Sequence, residues 1–312
     1  MNKEKAIIGV CTSGREAQLK ELLASLSRCE RQDRLHVSIL IVENLEQPNL
    51  RQADLQRHCS YPIILVHESK LGLSHARNRC LDEADNRNAD WYISLDDDVT
   101  VHEGFLTGYV RAINEHPEKD LFGCVHEFIY EDALSPFVEP PRPRDWQHGK
   151  KLRTGNSLVM IPRRVFGRDG AGIRYDMTFN FCGAEDTEYI RAIHFVGLKS
   201  CFVSDVIVYE IRRAPRTGLK EHLDLARVRQ FANLKIVEKY RGKVFAWIRG
   251  FVYLDQYVIL GLFSLLLGLI VFPFNRTKAL RFIGEAARQY FCLVGTVDYF
   301  RGTTFERYPS SA

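Results

Sequence analysis

The sequence predicts an α/β fold, a mostly parallel sheet flanked by helices. Short apolar runs rich in branched residues, typical of buried strands, alternate with stretches of helical periodicity. Over the first hundred or so residues this alternation reads β-α-β-α-β-α-β, the pattern of a parallel sheet covered on both faces. The 312 residues, 46% hydrophobic and 26% charged, suffice for one large or two modest domains.

In the first half of the chain, the apolar runs predict strands at residues 6–11, 37–42, 63–66 and 91–95. Leucines 19, 22, 23 and 26 recur at helical spacing, so residues 16–27 are predicted to form a helix. Two more helices are expected, one at residues 49–58 and one that opens at residues 72–74 and runs to about 84, with Ser74 as its N-cap.

In the second half, helices are predicted at residues 103–115, 185–193 and 219–240, and strands at 121–130, 154–160 and 201–209. Prolines exclude regular structure from residues 135–146. Two arginines and Trp146 in this loop would suit a flap that faces a substrate, and a plain surface excursion is an equal alternative.

The C-terminal part differs from the rest because residues 257–274 carry no charge. This tract is long enough for a transmembrane helix, though at the short end, and it can equally re-enter or lie on a membrane. We predict an apolar helix at about residues 256–274 and an amphipathic interfacial helix at about 279–299. The predicted division is one domain of residues 1–240 and a membrane-associated helical region of 241–312.

The composition of the chain argues against several classes of protein. A net charge of +4 is too mild for a typical nucleic-acid-binding protein. The 8 cysteines are dispersed and form no C-x-x-C pair, which argues against structural zinc and suits a reducing compartment. The charged segment after Met1 runs straight into a strand, so no signal peptide is expected.

The strand at residues 91–95 ends in three adjacent carboxylates, Asp96, Asp97 and Asp98. Three neighbouring acids repel one another, and a hard divalent cation such as Mg²⁺ or Mn²⁺ would neutralise them and bridge to phosphates. The alternative is a solvated acidic turn. Polar residues also follow the first two strands, at Thr12 and at Glu43. Since ligands bind where parallel strands end, these positions favour a site.

These motifs, in this order, resemble the family 2 inverting glycosyltransferases, which have the GT-A fold. The resemblance covers roughly residues 5–240 and implies a nucleotide-diphospho-sugar donor. Glu43 stands where the family usually has an aspartate that contacts the base. The implied donor-binding residues are Thr12, Arg15, Glu43, Gly72, Arg77, Asp96, Asp97 and Asn156.

The same resemblance implies the metal site and the catalytic base. Asp98, in the position of the family's D-x-D motif, is expected to ligate Mg²⁺ or Mn²⁺. Glu210 stands where many members have a histidine and is the second expected ligand. Asp186 of the Glu185-Asp186 pair is expected to be the catalytic base, with Glu185 in support. No histidine has a partner at metal-site spacing, so none is predicted as a ligand.

The implied function is transfer of a sugar to a lipid-linked or membrane-proximal glycan at the cytoplasmic face of the inner membrane, in bacterial surface polysaccharide synthesis. One alternative is a membrane-anchored scaffold without turnover. Another is a sugar nucleotidyltransferase, although the segment 12–15 is too short for its phosphate loop. A dinucleotide-dependent oxidoreductase is disfavoured because no G-x-G-x-x-G follows the first strand.

Overall fold

The computed structural model describes residues 3–30, 32–140, 147–152 and 158–303. The strands are β1 (Glu4–Thr12), β2 (Leu35–Glu43), β3 (Ile63–His67), β4 (Trp91–Asp96), β5 (Val99–Val101), β6 (Leu121–Tyr130), β7 (Val159–Pro162) and β8 (Ser200–Arg212). The helices are α1 (Glu16–Ser27), α2 (Gln52–Gln56), α3 (Leu73–Asn86), α4 (Phe105–Glu115), α5 (Arg163–Phe166), α6 (Glu185–Phe195), α7 (Leu219–Arg241), α8 (Lys243–Val271) and α9 (Arg276–Arg301).

Within these described residues, eight strands form one sheet in the order β3-β2-β1-β4-β7-β6-β8-β5. The half from β3 to β4 is parallel, as predicted. In the other half β7 runs antiparallel to β4 and to β6, and β5 runs antiparallel to β8. The whole sheet is therefore mixed. The sequence could not predict the antiparallel pairs, because an apolar run marks a strand without fixing its direction.

Helices cover both faces of the sheet and build the core. The leucine stripe of α1 is fully buried on one face, together with Phe105 and Tyr109 of α4. On the other face Cys80 and Leu81 of α3 pack with Phe166 of α5 and with α6 residues. The helical spacing read from the sequence is thus the spacing of the buried side chains.

Three local predictions need correction. Helix α2 is only Gln52–Gln56, because the backbone N–H groups of Asn49 and Leu50 donate to the Glu43 side chain instead of joining the helix. The short strand β5 was not predicted, since three residues carry too little pattern. Ser74 is not the N-cap of α3; that position is Gly72. Residues 154–157 of the predicted strand 154–160 lie outside the described part.

The chain divides into two compact units, one of residues 1–129, 145–180 and 185–211 and one of residues 130–144, 181–184 and 212–312. Helix α7 falls in the second unit, where Phe231, Leu234 and Val237 pack with Ala246 of α8 and Tyr299 of α9. The division at residue 240 stays a prediction. Helix α8 begins at Lys243, earlier than the predicted residue 256. In the described part of the chain, this helix is long and apolar enough to cross a membrane.

Candidate active site

The polar residues that follow the central strands lie at one edge of the sheet. Cys11 pairs with Asp96 across β1 and β4, and Thr12 pairs with Glu43 across β1 and β2. Because these strands are parallel neighbours, their carboxyl ends meet at the same edge. The expected convergence of Thr12, Glu43 and Asp96 is therefore present.

Asp97 is the buried member of the three aspartates. Its side chain has no exposed surface, and its Oδ2 accepts hydrogen bonds from Thr12 Oγ1 at 2.6 Å and from Arg15 Nε at 3.1 Å. Arg15 Nη2 also pairs with its Oδ1. Burial raises the pKa of the Asp97 carboxyl to about 6, although Arg15 and Thr12 oppose the shift. These contacts favour a role in fixing the Arg15 side chain, and direct donor contact by Thr12 or Asp97 stays a prediction.

Asp98 lies where a metal ligand is expected. Its side chain is 15% exposed, and its Oδ2 accepts a hydrogen bond from Arg15 Nη1 at 2.8 Å. The next residue, Val99, pairs with Glu210 across β5 and β8, so both predicted ligands belong to one sheet edge. Glu210 is buried, and His126 Nε2 on β6 lies 3.0 Å from its Oε2. Carboxylates are the ligand type that suits Mg²⁺ or Mn²⁺. Among the described residues, however, Asp98, Glu210 and His126 do not form a cluster whose ligand atoms all lie within 4.8 Å of one another.

Arg77 joins Asp96 at the end of β4 to Glu185 at the start of α6. It is almost fully buried, and it donates from Nη1 to Glu185 Oε1 at 2.7 Å and from Nη2 to Asp96 Oδ1 at 3.1 Å. Its guanidinium stacks over the ring of Tyr175, which in turn stacks on Tyr189. Burial alone would lower the pKa of Arg77, but Glu185 and Asp96 outweigh it and raise this pKa well above its ordinary value.

Asp186 occupies the first turn of α6, beside this ion-pair network. Its Oδ1 accepts a hydrogen bond from the backbone N–H of Thr187 at 2.6 Å. Burial and the neighbouring Glu185 raise the pKa of the Asp186 carboxyl to about 6, while Arg77 lowers it. A carboxylate with a pKa close to neutral is well suited to accept a proton. Glu185 accepts a hydrogen bond from Arg77, and its role in support of Asp186 stays a prediction.

Backbone conformation before α6 is unusual. Ala184 adopts φ +137°, a region that residues other than glycine rarely occupy. Strain of this kind persists where the surrounding structure imposes it, and it is frequent at functional sites. It marks the turn that delivers Glu185 and Asp186.

The Gly72 segment is fixed by two asparagines. Asn44 Oδ1 accepts a hydrogen bond from Gly72 N–H at 2.8 Å. Asn180 Oδ1 accepts from Ser74 N–H at 2.9 Å, and its amide donates to Leu71 O at 3.1 Å. Asn180 therefore caps α3 from a distant part of the chain, which explains why Ser74 is not needed there.

Gly72 adopts φ +116°, and a Cβ at this position would overlap the Asn180 side chain. We expect Gly72→Ala to lower the free energy of unfolding by about 1–3 kcal/mol more than Gly197→Ala. Gly197 is the matched control because it also has positive φ, +84°, and nothing within 4 Å of its Cβ direction. Urea unfolding of both variants measures the difference, and equal losses would contradict the capping role of Asn180.

One predicted residue cannot be placed, because Asn156 lies outside the described residues. Sequence reasoning missed His126, Tyr175 and Asn180. His126 was passed over because its neighbour Glu210 is distant in sequence. The other two carry no motif, and only the packing reveals them.

A separate group of possible metal ligands lies away from this edge. The ligand atoms of Glu115, His116 and His148 fall within 4.8 Å of one another. Glu115 and His116 precede the start of β6, at the opposite edge of the sheet. His148 Nε2 is already 3.2 Å from Glu115 Oε2, so a surface ion pair accounts for the contact.

The architecture is that of the GT-A fold. Over 97% of its length the chain is similar to S. aureus TarS 1–349 in complex with UDP-GlcNAc, with a TM-score of 0.56, 14% identity and 93% of that chain covered. It is also similar over 97% of its length to the mannosyltransferase PcManGT from Pyrobaculum calidifontis in complex with GDP-Man and Mn²⁺. There the TM-score is 0.59, the identity 15% and the coverage of that chain 89%.

The family follows from the sequence match. The family model of glycosyl transferase family 2 matches residues 7–177, more than half of the chain, and the chain belongs to this family. It is also 29% identical over 212 residues to the succinoglycan biosynthesis protein ExoM of Rhizobium meliloti (strain 1021). This match spans 65% of each protein, less than two thirds of the length of ExoM.

Proposed function

We propose that the chain is a metal-dependent, inverting glycosyltransferase that moves a sugar from a nucleoside-diphosphate donor to a glycan acceptor. The observation that carries the proposal is the joint placement of Asp98, Asp96 and Asp186. Asp96 ends β4 and Asp98 follows two residues later in the turn, and Arg77 links Asp96 to Glu185, the neighbour of Asp186. Arg77 thus connects a carboxylate of the proposed donor side, Asp96, with the turn of α6 that carries the proposed base.

The donor side has to hold a diphosphate as it departs with growing negative charge. Mg²⁺ or Mn²⁺ held by Asp98 and Glu210 would supply Lewis-acid stabilisation of that charge. Arg15 fixes Asp98 through its hydrogen bond at 2.8 Å. The relatives in complex with UDP-GlcNAc and with GDP-Man and Mn²⁺ support a nucleotide-sugar donor and a divalent ion.

On the acceptor side, Asp186 removes the proton from the attacking hydroxyl. Its raised pKa makes the carboxylate basic enough for this step while leaving it ionised above pH 6. Glu185 and Arg77 position the turn of α6 that carries it. Direct attack by one activated hydroxyl, without a covalent intermediate, inverts the anomeric centre.

The titration of Asp186 predicts the pH dependence. Only the ionised carboxylate accepts a proton, so kcat/KM should be level above about pH 7 and fall about tenfold per unit below about pH 6. The measurement is transfer at saturating Mn²⁺ between pH 5 and pH 8. An unchanged kcat/KM across this range would contradict Asp186 as the base.

The acceptor is proposed to be lipid-linked or membrane-proximal, and the site of action the cytoplasmic face of the inner membrane. The apolar helix α8 supports membrane association. The similarity to a succinoglycan biosynthesis protein supports a role in polysaccharide synthesis. Alkaline carbonate extraction tests the location: recovery of the chain in the soluble fraction without detergent would exclude insertion.

Two other functions make different predictions. A scaffold that has kept the fold but lost turnover would leave donors untouched. A sugar nucleotidyltransferase would consume a nucleoside triphosphate and a sugar phosphate. Isothermal titration with UDP-, GDP- and other nucleotide-sugars, with and without Mn²⁺, tests our proposal. We expect Mn²⁺-dependent binding of one donor class, and no binding of any donor would overturn it.

A further inference from the structure

Helix α8 has two unlike faces. The face toward the other helices consists of small or polar residues about every three to four positions, among them Ala246, Gly250, Tyr257, Gly261, Ser264 and Gly268. The opposite face is apolar and exposed, and Ile259, Leu262, Leu266 and Ile270 each show more than half of their surface. An exposed apolar stripe of this length marks a surface that contacts lipid or another protein.

Helix α9 runs antiparallel to α8 and packs along most of it. The Cα–Cβ direction of Gly268 points to Ile283, that of Gly261 to Gln289, and that of Gly250 to Phe300. Helix α7 lies against the same face, where Tyr257 Oη donates to Gln230 Oε1 at 2.7 Å. The inner face of α8 is therefore fully engaged within this unit.

This packing decides how deep α8 can enter a bilayer. The pairing of Gly261 with Gln289 and of Gly268 with Ile283 sets Glu285 and Arg288 of α9 beside the middle of the apolar tract. Glu285 and Arg288 form an ion pair and are each more than a third exposed as side chains. If α8 spanned the membrane, it would carry these charges into the hydrocarbon, where charged side chains are strongly disfavoured.

We infer that α8 does not cross the membrane but lies in the plane of one leaflet, with its outer face among the acyl chains. Cations at both ends of the helix, at positions 241, 243, 276 and 278, are exposed and complement anionic headgroups at one level. Asp255, exposed between Val252 and Ile259, keeps the first half of α8 close to the headgroups. This inference rests on the proposed membrane association and not on the transfer reaction.

The turn between α8 and α9 gives the first test, with the full chain bound to phosphatidylcholine–phosphatidylglycerol vesicles. In the Arg276→Cys variant we expect an impermeant maleimide, added outside the vesicles, to label the new thiol without detergent. The wild type gives the background from its native cysteines, all but one of which are buried. Labelling that requires detergent would mean that the turn has crossed the bilayer, and would overturn the inference.

The second test measures how deep residues along α8 lie in the bilayer. Fluorophores on Ile259→Cys, Leu266→Cys and Ile270→Cys should report one similar, shallow depth by quenching from spin-labelled lipids. A maximum depth at position 266 would indicate a spanning helix. Failure to bind vesicles together with a concentration-dependent dimer would assign the face to a second copy. Either result would overturn the inference.

Substitution of the outer face measures its contribution. Leu262→Glu and Leu266→Glu should each weaken vesicle partitioning by more than about tenfold. Val196→Glu is the matched control, because Val196 is an equally exposed apolar residue outside α8. Equal effects at 196 and 262 would overturn the inference. Donor hydrolysis by the same vesicle-bound samples reports separately on the proposed function.

Discussion

Replacing Asp186 with asparagine should lower the turnover of sugar transfer by about 10²–10⁴-fold, because the variant cannot accept the acceptor proton. Donor affinity should change little, since Asp186 is on α6 and the residues proposed to hold the donor follow the strand ends. Initial rates and a donor titration on the same sample measure both effects. The control is Asp33→Asn, because Asp33 is an exposed aspartate distant in sequence from Asp186.

The same variant should not be less stable at pH 8. The pKa of Asp186 is raised from 3.8 to about 6, so the fold disfavours its ionised form at that pH. Removing the charge should raise the free energy of unfolding by about 1–3 kcal/mol, reduced somewhat because an amide oxygen accepts from the Thr187 N–H more weakly than a carboxylate does. The gain should fade as the pH falls through 6 and should vanish only about one unit below 3.8, where the carboxyl is neutral in both states. Full activity or a large loss of stability would contradict the assignment.

Replacing Asp98 with alanine should abolish the metal dependence of donor binding. Without this ligand, donor affinity in Mn²⁺ should fall to the value that the wild type shows in EDTA, and transfer should drop by about 10³-fold. Titration with and without Mn²⁺ measures the difference. Asp98 also pairs with Arg15, which keeps Asp97 as a partner in the variant, so the loss of this one ion pair needs its own control.

Asp205→Ala controls for that effect. Asp205 is also an aspartate paired with an arginine, Arg111, but it lies away from the strand ends that form the site. We expect Asp205→Ala to retain Mn²⁺-dependent binding. Activity of the wild type that persists in EDTA, or Mn²⁺-dependent binding by Asp98→Ala, would show that the metal role is wrong.

Much of the fold could be predicted because its signals are local. The leucine stripe of α1 and the apolar runs of β1, β2 and β4 record burial directly, and their polar ends marked the site edge. The direction of β7 and the brief strand β5 could not be predicted, since pairing depends on long-range packing. The short extent of α2 has a similar cause, the capture of its first N–H groups by Glu43.

For the site as well, local sequence patterns could be predicted and long-range contacts could not. Asp96, Asp98 and Asp186 could be predicted as site residues because carboxylates that cluster at the ends of strands and helices need a cation or hydrogen-bond donors to offset their charge. The sequence held no sign that Asp97 would be buried under Arg15, or that Arg77 would join Asp96 to Glu185. Such contacts join residues as many as 108 positions apart. They exist only once the sheet has brought the strand ends together.

A donor screen tests the central claim most directly. Each nucleotide-sugar would be incubated with the full chain and Mn²⁺, and release of the nucleoside diphosphate measured for the wild type and for Asp98→Ala. We predict slow hydrolysis of one donor class by the wild type and none by the variant. No hydrolysis of any nucleotide-sugar, or equal hydrolysis by both proteins, would contradict the claim that this edge of the sheet is a metal-dependent sugar-donor site.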